Sequence, residues 1–310
     1  LLSRTSTDGK GDSYMTQGRI LVVEDDRDTA EMLQVYFSGH GFSVEVAMRG
    51  TDALPMTRSY LPDLIILDIM LPGMDGYAVC RELRTMTRTS HIPIIFLTQK
   101  DERSDRIAGL ELGADDYVTK PFDIEELGLR VKNAINSHQR MNMTDPRTGL
   151  PAARLIEDQL RGLMQSDGWT YAEVAIQFMQ PFLDSYGFVA ADEVLRYTAL
   201  LLNETIDESG TADDFIGHAG GQIFVLITYA NESDALLATI RQRFDQQIRT
   251  HYSFFDSEQG GILQPDGSLA PIMSLSIGAV SSEMRDFVDI REITEVAAES
   301  RRFDQAPASR

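Results

Sequence analysis

The chain predicts an α/β protein of two domains, the first a doubly wound sheet of parallel strands. Three observations carry this. From Ile20 onward, short apolar runs alternate with segments of helical periodicity, the pattern of a βα repeat. Two runs, ILVVEDD at Ile20–Asp26 and IILDIM at Ile65–Met70, are unbroken Ile, Leu and Val that stop on carboxylates. A parallel strand covered on both faces reads as such a continuous run. A length of 310 residues is enough for two cores.

Strands are expected at Ile20–Val23, Ser43–Ala47, Leu64–Leu67, Ile94–Leu97 and Asp116–Thr119, with helices beginning near Arg27, Gly50, Tyr77, Arg103 and Ile124. The last helix carries Leu127, Val131, Ala134 and Ile135 at helical spacing, a core stripe. Beyond Asn136 it turns polar, with no Gly or Pro until Pro146, so the boundary reads as a continuous helix or a short hinge near His138–Thr144. The expected layout is a disordered tail or tag at 1–17, a first domain at 18–140, a second at 141–304 and a frayed tail at 305–310. The opening residues are polar and rich in Gly, Ser and Thr, which suits a tail.

The formal net charge of −20 opposes contact with nucleic acid or an anionic membrane, both of which need a cationic patch. No apolar stretch approaches the roughly 20 residues that span a bilayer, and no secretory pattern opens the chain, so a cytoplasmic location is expected. The lone Cys80 falls in an apolar helical register and is expected to be buried packing. The five histidines show no metal-ligand spacing.

Ligand groups on open parallel sheets gather outside the carboxyl ends of the strands. Glu24, Asp25 and Asp68 should therefore converge at one rim. Clustered carboxylates raise one another's pKa unless a cation intervenes. Hard oxygen ligands without thiols or imidazoles suit Mg²⁺, which keeps waters and shares its shell with phosphate. A third run ends on Thr98 and a fourth on Lys120-Pro121, placing a hydroxyl and a compact ammonium at the same rim. Taken singly, an Asp after a strand is a helix cap and a Lys-Pro a helix start.

In order and spacing, VVEDD, PDLIILDIMLPGMDG, IPIIFLT and GADDYVTKPF resemble the receiver domain of two-component response regulators over Gly18–Arg140. The resemblance implies a flavodoxin-like (βα)5 fold in which Asp68 accepts a phosphoryl group from a sensor histidine kinase. It implies Mg²⁺ held by Glu24, Asp25, Asp68 and the backbone carbonyl of Met70, and phosphoryl oxygens met by Thr98 and Lys120. Tyr117 would be the aromatic that turns inward on activation. Gln99 stands where receivers carry a small residue and is expected to crowd the pocket. The stretch 102–140 is similar to receivers of winged-helix transcription factors, which pair through crossed ion pairs; the matching positions are Arg106, Glu111, Asp115, Asp116 and Arg130. A homodimer is expected, although exposed pairs contribute only about 0–1 kcal/mol each.

DPRTGLPAARLIEDQL, from Asp145, resembles the start of a GGDEF domain, the α/β nucleotidyl-cyclase-type fold that joins two GTP into cyclic di-GMP. YGFVAADEVLR, FIGHAGGQIF and SLSIGAV continue the likeness. Its signature is degenerate: Gly220 and Gly221 are followed by Gln222, Ile223 and Phe224. The other metal carboxylate falls on Ala175 and the next Asp on Gln177. Gln180 and Leu183 stand for the lysine and the guanine-reading asparagine, while Asp192 is retained. Thr211 and Asp214 occupy the Arg-x-x-Asp of the inhibitory site. These losses lead to the expectation that the chain is not an enzyme and that its second domain is a dimerisation or downstream-partner scaffold. The alternatives are a sensor of GTP or cyclic di-GMP, or an active diguanylate cyclase. A hairpin tip at Asp266-Gly267, a closing helix at Ile293–Arg302 and a packing role for Trp169 complete the reading.

Overall fold

The computed structural model describes residues 17–99, 112–141 and 143–304. The first domain is a five-stranded parallel sheet in the order β2-β1-β3-β4-β5, formed by β1 (Arg19–Val23), β2 (Ser43–Ala47), β3 (Leu64–Asp68), β4 (Ile94–Thr98) and β5 (Asp116–Thr119). Helices α1 (Arg27–Gly39), α2 (Gly50–Tyr60), α3 (Gly76–Thr85) and α4 (Ile124–Arg140) flank it; the helix expected near Arg103 lies outside the described residues. Alternate residues of each strand point to opposite faces. Leu21, Val23, Ile65, Leu67, Ile94 and Phe96 pack under α2 and α3. Ile20, Val22, Leu64, Ile66, Ile95 and Leu97 pack under α1 and α4. This two-sided burial is why the strands read as unbroken apolar runs. Asp26, Asp75 and Asp123 cap α1, α3 and α4 by accepting from backbone N–H groups of their first turns, so part of the acidic content is capping.

The helix α4 stops at Arg140, capped by Met141. The loop after it is closed at its neck by a bond from Ala152 N to Met143 O and a bridge between Thr144 and Pro151. The second domain is an antiparallel sheet in the order β11-β6-β8-β7, with β6 (Thr170–Gln177), β7 (Phe215–Gly220), β8 (Ile223–Thr228) and β11 (Ser274–Ser281). The strands β9 (Gly261–Leu263) and β10 (Leu269–Pro271) form a separate hairpin around the expected Asp266-Gly267 tip. On one face lie α6 (Met179–Ser209, kinked at Gly187) and α7 (Ser233–Gln247). On the other lie α5 (Ala153–Leu163) and α9 (Ile290–Phe303); a short α8 (Phe254–Gln259) precedes β9. Trp169 is buried and donates to the carbonyls of Leu163 and Ser166, a packing role. Cys80 is buried in α3. No helix among the described residues is long and apolar enough to cross a membrane.

The two domains meet along a seam. Leu61, which ends α2 in the left-handed region at φ 50°, belongs to the second domain's core. Arg88 and Arg58 both reach Asp207 of α6, at 2.5 and 3.4 Å. His91 packs against the Gly149 backbone with both ring nitrogens shielded from solvent. Burial lowers its pKa to about 4, with His138 and Arg84 adding to the effect. A histidine held neutral contributes stability that is full above its unfolded pKa of about 6.5 and lost as pH falls through about 4. The chain is expected to lose about 2–3 kcal/mol of unfolding free energy between pH 7 and pH 4 on this account. His91→Phe should flatten that part of the pH profile of the urea midpoint; an unchanged slope would show that His91 does not cause it.

Candidate functional site

The strand register assembles the rim. Val23 pairs with Leu67, Asp68 with Leu97 and Thr98 with Thr119, so the residues closing β1, β3, β4 and β5 stand side by side. Glu24 and Asp68 are buried and share Lys120, whose Nζ donates to Glu24 Oε2 at 2.6 Å and to Asp68 Oδ2 at 2.8 Å. Backbone N–H groups orient their other oxygens: Met70 N donates to Asp68 Oδ1 at 3.1 Å and Asp26 N to Glu24 Oε1 at 3.3 Å. Asp25 is exposed, and one oxygen each of Glu24, Asp25 and Asp68 lie within 4.8 Å of one another. Thr98 is buried at the end of β4, and its carbonyl accepts from Lys120 N at 2.7 Å. Tyr117 is half-buried against the α2/α3 side of the sheet. Met70 and Gln99 are exposed.

Charge at this rim is out of balance: three carboxylates face one ammonium. Burial raises the Glu24 pKa to about 7, with Asp68 adding to it against the pull of Lys120. Burial pushes the Lys120 ammonium down, but its bonds to Asp68 and Glu24 outweigh that and leave it raised. All-oxygen donors and surplus negative charge fit a hard divalent cation. Space beside Asp68 is fixed by Gly76. A Cβ there would sit 2.2 Å from Asp68 O and 2.9 Å from Ile69 Cα, and neither is a side chain that can swing away. Gly76→Ala is expected to cost about 2–3 kcal/mol and to displace the Asp68 backbone; a urea midpoint equal to the wild type would refute this.

Among the described residues, Asp115, Asp116 and Arg130 of the expected pairing positions bond within the chain. Asp115 accepts from Arg84 at 3.1 Å and from Ile94 N at 2.9 Å. Arg130 bonds both Asp116 and Glu126 at 2.7 Å. Arg106 and Glu111 lie outside the described residues.

In the second domain, Gly220 (φ 106°) and Gly221 (φ 59°) turn the chain between β7 and β8. Only glycine takes such a pair without strain, and nothing lies within 4 Å of where a Cβ would project from either. Gln222 and Ile223 follow, half-buried, and Phe224 is buried in the core. Ala175 is buried opposite Ile223, Gln177 donates to Ser276 Oγ, and Gln180 to Asp184. Asp214 does not stand open as a ligand group. It is buried and accepts from Thr211 N, Thr211 Oγ1, Thr228 Oγ1 and Tyr229 N, which makes it a structural anchor.

Two buried groups carry geometry that the sequence reading passed over. His218 places Nδ1 3.2 Å from Asp145 Oδ1 and Nε2 3.3 Å from Gly221 O, with its ring stacked on Phe224. Against the raising effect of burial, His218 and Arg147 hold the Asp145 carboxyl well below the usual range. Asp145 opens the DPRTGL string, so its presence was visible, but its partner is 73 residues away. The Arg58/Arg88 grip on Asp207 has no local sequence signal at all.

A carboxyl-edge cluster of this kind, followed by a second α/β sheet with an open glycine turn, defines a two-domain signalling protein. Residues 20–132 match the response regulator receiver domain, and residues 142–297 match the family described as diguanylate cyclase, GGDEF domain. The chain belongs to the GGDEF family, with a receiver domain ahead of the GGDEF domain. It is 43% identical over 142 residues to the DNA-binding response regulator MtrA of Mycobacterium tuberculosis H37Rv, covering 44% of this chain and 61% of that protein. The MtrA of Mycolicibacterium paratuberculosis is matched at the same identity, with 62% of it covered. The chain therefore spans less than two thirds of these relatives. Among solved structures, it is similar to the Francisella response regulator 1452 receiver domain (34% identity, TM-score 0.37, 39% of this chain and 98% of that one). It is also similar to the BeF3-activated N-terminal receiver domain of Klebsiella pneumoniae RstA (37% identity, TM-score 0.36, 38% and 97%).

The GGDEF match corrects one expectation. The chain was expected not to be an enzyme, whereas the family that residues 142–297 match is one of diguanylate cyclases. Replacement of carboxylates at 175, 177, 222 and 223 removes individual ligands. A hard cation also takes carbonyl and water oxygens, so those replacements do not establish inactivity.

Proposed function

We propose that this chain is a phosphorelay response regulator phosphorylated on Asp68 by a sensor histidine kinase, with its GGDEF domain as the output. The observation that carries the reading is the shared hold of Lys120 on Glu24 and Asp68 at one rim of the parallel sheet. Glu24, Asp25, Asp68 and the Met70 carbonyl would hold Mg²⁺. Bound there, it would neutralise phosphoryl charge, the main requirement of phosphoryl transfer. The Asp68 carboxylate attacks the phosphorus of a phosphohistidine as the P–N bond breaks. Lys120 and Thr98 receive the phosphoryl oxygens, and the added charge of about −1.5 to −2 draws Lys120 away from Glu24. Tyr117 is the aromatic that responds. The dimer, with Arg106, Glu111, Asp115, Asp116 and Arg130 on its interface, and binding of a downstream protein are the proposed consequences. Incubation with acetyl phosphate and Mg²⁺ tests the reading: one phosphoryl group should appear, placed on Asp68 by peptide mass mapping. No uptake, or uptake elsewhere, refutes it.

A second reading of the output rests on the family match and on the open backbone of the Gly220–Gly221 turn. Here the output is nucleotide chemistry or nucleotide binding, with GTP or cyclic di-GMP as ligand. Product formation from GTP and Mg²⁺ separates cyclisation from binding, and calorimetry with either nucleotide separates binding from a purely protein-directed output.

A further inference from the structure

Several polar groups along the seam between the domains lack a hydrogen-bond partner. Arg19 Nη2, Asp63 Oδ1 and both ring nitrogens of His91 are buried without a hydrogen-bond partner. Buried polar groups are normally paired, and each unpaired one offsets stability gained elsewhere at the interface. Leu61 and the Arg58/Arg88–Asp207 contacts hold the seam closed, while these unpaired groups favour its parting.

The loop 145–150 runs from that seam into the second domain. Gly149 (φ 75°) lies so close to the receiver that a Cβ on it would stand 2.1 Å from Arg19 Nη2 and 3.0 Å from Leu61 O. Gly149 N donates to Asp145 O at 2.7 Å. Asp145 Oδ1 and Thr148 Oγ1 both reach His218 Nδ1, at 3.2 and 3.4 Å, and Pro151 O accepts from His218 N at 2.8 Å. His218 Nε2 lies 3.3 Å from Gly221 O. A contiguous set of packed and hydrogen-bonded groups thus leads from the receiver backbone to the glycine turn.

We propose that the loop 145–150 couples receiver docking to the Gly220–Gly221 turn, with His218 as the positioning residue that joins them. The inference rests on the reading of the GGDEF domain as the output. It supplies a route for the signal that does not run along α4: receiver docked, turn held; receiver released, turn loosened.

Amide hydrogen exchange on the full chain tests it. Asp207→Lys places a third cation between Arg58 and Arg88 on a part-exposed helix surface, where it should open the seam without disturbing the core. The radius of gyration should rise in small-angle scattering, and exchange at residues 217–223 should accelerate about 2- to 30-fold, the range for coupling through packed networks. Exchange in β9–β10, away from the loop, should not change. An opened seam with unchanged exchange at 217–223 overturns the proposal. A seam that stays shut in both Asp207→Lys and Arg58→Ala/Arg88→Ala also overturns it, because the coupling requires a separable interface. The measurement uses no phosphodonor, so its failure is distinct from failure to phosphorylate Asp68.

Discussion

Asp68→Asn is expected to take up no phosphoryl group from acetyl phosphate and Mg²⁺, while folding at least as well as the wild type. An amide oxygen carries no charge and is not a nucleophile toward phosphorus, so the loss should be all-or-none. Stability should hold because the change also removes one of two buried acids that compete for Lys120, relieving like-charge repulsion. A urea midpoint at or above the wild-type value separates lost chemistry from lost structure. Label retained on this variant, or found on Glu24 or Asp25, would remove Asp68 from its proposed role.

Lys120→Ala is expected to destabilise the chain by about 3–5 kcal/mol at pH 8 without Mg²⁺, the usual cost of leaving buried partners uncompensated. Burial already holds Glu24 at about 7, and removal of the ammonium raises it further. A carboxyl whose folded pKa is raised binds its proton more tightly in the folded state, so stability is greatest below the unfolded value near 4.5 and falls as pH rises through 7. The penalty should therefore be small at pH 5 and full at pH 8. Mg²⁺ held as proposed at the folded rim would favour the folded state, so millimolar additions should recover part of the loss by mass action. A variant matching the wild type at pH 8 in chelator would show that Lys120 does not compensate these acids.

The receiver sheet was legible almost residue for residue because its strands are covered on both faces and end in charge. Ile20–Val23 and Ile94–Leu97 are apolar runs of strand length, and each stops on a group that the register then aligns. The charge of Asp115 and Asp116 was legible too, but not that Arg84 and Arg130 of the same chain bond them. The DPRTGL string marked a domain start without revealing that Gly149 must be small to fit beneath Arg19. Asp214 looked like a remnant of a ligand site and is instead saturated by Thr211, Thr228 and Tyr229. These misses have one physical cause: pairings between residues far apart in sequence leave no periodicity to detect. Activity of the second domain was misjudged for a different reason, since the absence of particular carboxylates was taken as the absence of chemistry.

Leu61 leaves α2 in a left-handed turn and finishes inside the neighbouring domain's hydrophobic cluster. An excised receiver would present a bare leucine to water, and an excised GGDEF unit would carry a notch where that side chain belongs. Cutting the chain between the halves is expected to forfeit about 1.5–3 kcal/mol of burial at that leucine, which fragments prepared for biochemistry would show as a lowered urea midpoint.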